Sequence, residues 1–164
     1  SYVKAIKGSY LRLREAGQYL AHGIEINGIK SFHDECCGEK RGENIIFKFS
    51  IDGINLCHLG DLGQALTTQQ VKALGNVDIL LAPIGGIYTI DAAGTKALMD
   101  ILKPTTTIPM HYKTAALKFP LAPLEPFLNL FGVSDYKKIE QSELDITKAN
   151  LKNLPQIAVL NYPK

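Results

Sequence analysis

Four histidines (His22, His33, His58 and His111) and a glycine-flanked aspartate, Asp61, hold most of the chemistry available to this chain. The β-branched run Thr105 to Pro109 leads directly into Met110-His111, which puts His111 just past a strand end, where a side chain can project into a cleft. A neutral imidazole there is a natural zinc ligand; a hydrogen-bonded histidine closing a strand is the plainer alternative. Asp61, with Gly60 and Gly63 beside it, leaves room for close approach of a metal or ligand, and suits a helix or turn cap equally well. His33 precedes a polar loop holding Asp34, Glu35, Gly38 and Gly42, and such loops often carry function. Loop polarity by itself accounts for Asp34 and Glu35. His58 alternates with Leu56 and Ile54, so it is either an inward core histidine or a partner orienting Asp61. His22 reads as a surface residue.

Other chemistries find less support. Gly85-Gly86 ahead of a helix offers backbone N–H groups to an anion, but it lacks both nucleotide-loop glycine spacings, and a tight turn explains it. No G-x-S-x-G elbow points to a serine nucleophile. Cys36 and Cys37 are adjacent and have no C-x-x-C partner, so they read as loop cysteines before metal ligands.

The elements that must position these residues change character along the chain. Gly23 to Gly28 alternates with period two, as a half-buried strand does, and so does Ile45 to Ile51. Asp52-Gly53 then links that run to Ile54-Asn55-Leu56, which predicts a hairpin with a type I′ turn. Beyond Asp61, helices and strands alternate. Thr67 with Gln70 three residues on predicts a capped helix ending at Gly75-Asn76, and Val77 to Pro83 a strand covered on both faces. Asp91 begins a helix through Leu102 that should bury Ala97, Leu98, Ile101 and Leu102; Lys103-Pro104 stops it before the strand Thr105 to Pro109. A short helix near Leu124 to Phe131, ended by Gly132, and closing strands at Tyr136 to Ile139 and Ile157 to Leu160 complete the reading. Strand, helix, strand, helix, strand implies parallel strands whose carboxyl ends share one edge, where ligands bind in open α/β sheets. His58 to Asp61, Pro83 to Gly86 and Met110-His111 therefore converge.

At 164 residues the chain suits a single α/β domain over residues 1–164, large enough for its own core. A net charge of +2 with scattered Lys and Arg offers no electrostatic case for nucleic acid. No apolar run of spanning length suggests a membrane. Three cysteines do not make a disulfide framework and point to a reducing, cytoplasmic compartment.

Four blocks, Ser31 to Glu35, Cys57-His58-Leu59-Gly60-Asp61-Leu62-Gly63, Pro83 to Ala92, and Ile108-Pro109-Met110-His111-Tyr112-Lys113-Thr114, resemble, in order, the downstream motifs of the metallo-β-lactamase-fold Zn-dependent hydrolases. The resemblance spans roughly Tyr10 to Thr114. It implies an αββα sandwich with one or two zinc ions, or another divalent metal, at the rim of its sheets. It also implies metal-activated water attacking an ester, lactone or phosphoester of a small-molecule substrate. Asp61 matches the aspartate that bridges two metals, His111 the last metal histidine, and His33 the histidine one hairpin before the aspartate. Asp61 and His111 would thus be catalytic and all three would be metal ligands. His58 would support Asp61 from behind, with Tyr88 and Thr89 lining the approach.

The family's first metal motif, His-x-His-x-Asp-His, occurs nowhere in these 164 residues. The fold is therefore expected to be incomplete at the N-terminus, with the motif belonging before Ser1. The chain alone should be inactive and should self-associate or rely on an unseen segment to cover its open edges and apolar faces. The rival expectation is a non-catalytic α/β domain with an incomplete metal site, acting in assembly or regulation.

Overall fold

The computed structural model describes residues 10–162. Eight strands form one sheet, in the order β1-β2-β3-β4-β5-β6-β8-β7. Strands β1 (Gly17–Ala21), β2 (Ile24–Phe32), β3 (Glu43–Ile51) and β4 (Ile54–His58) make an antiparallel meander. From β4 the sheet continues in parallel through β5 (Ile79–Pro83) and β6 (Thr106–Met110) to β8 (Ile157–Leu160), with β7 (Tyr136–Ile139) at its margin. Helices α1 (Thr68–Leu74) and α2 (Ala92–Leu102) make the two crossovers, and α3 (Glu125–Leu128) follows β6. No described helix is long and apolar enough to cross a membrane.

Turn chemistry sets the meander. Asp52 (φ 50°) and Gly53 (φ 71°) both take positive φ, the type I′ geometry whose twist suits paired strands. His22 (φ 52°) and Gly23 (φ 79°) repeat it between β1 and β2, so Gly23 belongs to the turn and β2 begins one residue later than its alternation suggested. Thr67 and Gln70 close the expected capping box on α1, and Lys48 Nζ donates to the Leu74 carbonyl at its far end at 2.6 Å.

Alternation along the strands separates two faces. One presents Ile46, Cys57, Leu80, Ala82, Ile157 and Val159 to Leu74, Leu98, Met99, Leu102, Phe127 and Leu128 of the helices, in one apolar cluster. Fully burying side chains of this size is worth about 1.5–3 kcal/mol each. The buried stripe of α2 is Thr95, Leu98, Met99 and Leu102, which corrects the expected one: Ala97 is exposed and Ile101 is 56% exposed. The helix is rotated because Thr95 finds a buried partner, its hydroxyl donating to the Pro83 carbonyl at 2.6 Å. Helix α3 is shorter than expected and is capped by Asn129, well before Gly132. The opposite face of the sheet pairs Phe49 with Leu56 and Leu81 with Ile108, and it is apolar but only half-buried there.

Strand direction settles where the chemistry lies. Strand β2 runs opposite to β3, and β3 opposite to β4, so β2 points the same way as β4, β5 and β6. Phe32, His58, Pro83 and Met110 therefore end at one edge, and the residues just past them share it.

Candidate functional site

Each residue at this edge is held by backbone contacts. Asn44, near the start of β3, is the hub. Its Nδ2 donates to Ser31 Oγ at 2.8 Å and to the Leu59 carbonyl at 2.9 Å, while its Oδ1 accepts the Asp61 N–H at 3.0 Å. Ser31 is fully buried and returns a bond to the Asn44 carbonyl at 3.2 Å. One side chain thus joins the end of β2 to the loop carrying Asp61. The Asp61 side chain, 56% exposed, is left facing the open edge.

Two glycines seat the two histidines. A Cβ on Gly63 would collide with the His33 carbonyl, and one on Gly85 with the His111 carbonyl. Neither glycine is in a left-handed conformation, so close approach of backbone to backbone is what requires them. The Gly63 N–H donates to the Phe32 carbonyl at 3.0 Å, and the Ile84 N–H to the Met110 carbonyl at 3.1 Å. His111 itself sits at φ 53°, a conformation uncommon for a residue with a side chain and one that concentrates at functional positions.

Asp34 does more than loop polarity alone would imply. It is fully buried, and its carboxylate accepts backbone N–H groups from Cys36, Gly38, Lys40 and Arg41 at 2.7–3.1 Å. Burial pushes its pKa up, but the four donors outweigh burial and hold it below the ordinary carboxylate value. The loop is closed again by His33, whose N–H donates to the Gly42 carbonyl at 3.1 Å. Residue types alone could not show four convergent donors, so nothing in the sequence singled Asp34 out.

The structure brings His111 and Asp61 together, Nε2 to Oδ1 at 3.9 Å. His33 lies at the same edge, yet no three His, Cys, Asp or Glu side chains among the described residues are close enough to share a metal. The donor chemistry nevertheless fits a metal. His33 Nε2 and His111 Nδ1 are buried without a hydrogen-bond partner, an uncommon state for polar atoms, shared here by the Thr107 hydroxyl. Two imidazoles and a carboxylate form a donor set suited to zinc. His58 is half-buried, and its Nδ1 accepts the Gly60 N–H at 3.0 Å. Burial pushes its pKa down against an upward pull from the Asp61 charge, and its ring supports the loop that carries Asp61. His22 is exposed in the β1–β2 turn, away from this edge. Cys36, Cys37 and Cys57 are free thiols.

Comparison with known proteins places this arrangement. The model of the beta-lactamase superfamily domain matches residues 1–111. A UPF0173 metal-dependent hydrolase of Archaeoglobus fulgidus is 31% identical over 137 residues, covering 79% of this chain and 54% of that protein. The chain thus spans about half the length of that curated relative. A solved Thermotoga maritima structure, assigned by name to the Zn-dependent hydrolases of the metallo-beta-lactamase superfamily, is 38% identical with a TM-score of 0.81. It covers 94% of this chain, which in turn covers 74% of it. A metallo hydrolase of Ignicoccus hospitalis is 26% identical with a TM-score of 0.54, over 73% of this chain and 52% of its own. The mixed α/β sheet, the edge it builds and the family match agree: this chain belongs to the beta-lactamase superfamily domain family.

Proposed function

We propose that this edge is the metal-binding edge of a hydrolase, with Asp61, His111 and His33 ligating zinc or a similar divalent ion, singly or as one of a pair. The observation that carries the reading is the approach of His111 Nε2 to the exposed Asp61 carboxylate at 3.9 Å, at an edge where His33 and His111 each keep one buried ring nitrogen without a partner. When bound, such an ion supplies Lewis acidity and lowers the pKa of water. The chain's own residues supply position. Asn44 fixes the Asp61 backbone, Gly63 and Gly85 fix the two histidines, and the Asp34 loop fixes the exit from β2. Asp61 anchors positive charge and faces an incoming substrate. That substrate is a small molecule with an ester, lactone or phosphoester bond, and Tyr88 and Thr89 line its approach. The remaining ligands would come from the part of the family fold beyond the 54% of the Archaeoglobus relative that this chain spans. The three free thiols suit a reducing, cytoplasmic setting.

The test is metal-dependent hydrolysis by the protein extended to its relatives' length. Asp61→Ala should abolish turnover and weaken metal binding together, whereas unchanged activity would contradict the assignment.

One observation favours a non-catalytic domain instead: no metal-sized cluster closes among the described residues. That reading expects no metal in any form of the protein, and His111→Ala to change stability alone.

A further inference from the structure

Beside the candidate metal edge runs an open groove of about 340 Å³, lined among others by Glu35, Arg41, Gly63, Gly86, Ile87 and Tyr88. Both walls are fixed. The Asp34 carboxylate holds the Arg41 N–H at 2.7 Å, and so anchors the backbone of the residue that supplies the cation. Across from it, residues 86–90 form a tight loop. The Gly86 N–H donates to the Ile90 carbonyl at 3.3 Å, and the Ile90 N–H to the Leu62 carbonyl at 2.7 Å, next to Asp61. Gly63, which lines the groove, packs on the His33 backbone, and Gly85, the neighbour of Gly86, packs on that of His111, so backbone contacts tie the groove's lining to both histidine segments. Ile87 stands 55% exposed on this loop, in a left-handed conformation (φ 57°) that β-branched residues rarely adopt.

Charge in the groove is unevenly spent. Glu35 is paired with Lys40 at 3.0 Å, and the Asp91 carboxylate accepts the Gly94 N–H at 2.8 Å as the cap of α2. The exposed Arg41 makes no contact ion pair among the described residues, its charge adding only a smaller pull to that of Lys40 on Glu35; its guanidinium lies over the Tyr88 ring at 5.4 Å. A guanidinium stacked on an aromatic face keeps the edges of its fork free for an oxyanion.

We propose that this groove selects the substrate: Arg41 takes an oxyanion of the substrate, while Ile87 and the Tyr88 loop carry an apolar body that places the scissile bond at the Asp61–His111 edge. The substrate class is therefore an anionic ester, lactone or phosphoester with an apolar portion, and this rests on the metal-hydrolase reading of that edge.

The test uses the protein extended to its relatives' length, with phenyl phosphate and benzoate as oxyanion probes and benzyl alcohol as the neutral control, followed by calorimetry and amide chemical shifts. Either oxyanion should bind and perturb Gly63 and Gly86 to Ile90, and the one that binds more tightly names the head group. Arg41→Gln should weaken binding roughly ten- to hundredfold, the loss expected for a charge-assisted bond. Arg41→Lys, which keeps charge without the fork, should fall between. Binding of neither probe, or equal affinity in Arg41→Gln, would overturn the proposal. A zinc titration of the same proteins separates the two readings. Zinc binding with Arg41-independent probe binding sinks the groove alone. Arg41-dependent probe binding without zinc sinks the metal reading, and the groove stands as an oxyanion site.

Discussion

Asn44 and Asp61 are joined by one hydrogen bond, from the Asp61 N–H to the Asn44 side-chain oxygen at 3.0 Å, although Asn44 lies in β3 and Asp61 in the loop after β4. The same amide reaches Ser31, two residues before His33, so a single neutral side chain sets the spacing between two candidate ligands. Asn44→Ala should leave Ser31 and the Leu59 carbonyl short of partners and cost about 1–3 kcal/mol, read by urea unfolding. It should also weaken zinc binding about ten- to hundredfold, as loss of a group that orients a ligand does. A stability loss with unchanged zinc affinity would show that Asn44 is structural only.

Gly85→Ala drives a methyl group into the His111 carbonyl, and Gly63→Ala does the same to His33. Neither neighbour is the loose end of a side chain, so the backbone has to move. Each variant should lose about 1–3 kcal/mol in urea unfolding, the usual cost of overpacking. The largest amide shifts should fall at His111 in the first variant and at His33 in the second.

The Cys57 thiol is completely buried, and burial raises its pKa from the ordinary 9.0 to about 12. At pH 8 roughly one molecule in ten thousand would carry the thiolate that reacts. Alkylation of the native chain should therefore label Cys36 and Cys37, with Cys57 reacting only after unfolding. Because the folded value is raised, the related stability is intact below 9.0 and is lost as pH climbs toward 12. Fast labelling of all three thiols would contradict the packing of β4.

The Asp34 carboxylate gathers four N–H groups, so Asp34→Asn should free the loop it closes: an amide side chain turns its own donors toward some of them. Faster hydrogen exchange at Cys36, Gly38, Lys40 and Arg41, with the β5 amides unchanged, is the expected result. Uniform acceleration throughout the sheet would mean that the loop is not an independent unit.

Much of this fold was legible in the chain. Asp52-Gly53 announced its turn because positive φ at two successive positions calls for such residues, and Thr67 with Gln70 announced a helix start. The shared edge followed from strands alternating with helices, which obliges the β5 and β6 ends to face the same way as that of β4. The face of α2 was not legible, since Thr95 is polar and turned inward only because the Pro83 carbonyl awaited it. The His22-Gly23 turn was hidden because glycine beside a period-two run reads as part of the strand. At the site, residue types made His33, Asp61 and His111 candidates and the family resemblance singled them out, but the spacing among them depends on Asn44, Gly63 and Gly85, whose importance lies in contacts between distant segments.

If His33, Asp61 and His111 act together on one metal centre, the nitrogen chemical shifts of the histidine rings will report it during a zinc titration. His33 and His111 should respond together, His22 should not, and Asp61→Asn should weaken the response at both rings. Unchanged His33 and His111 shifts with zinc in large excess, or responses that Asp61→Asn leaves untouched, would contradict it.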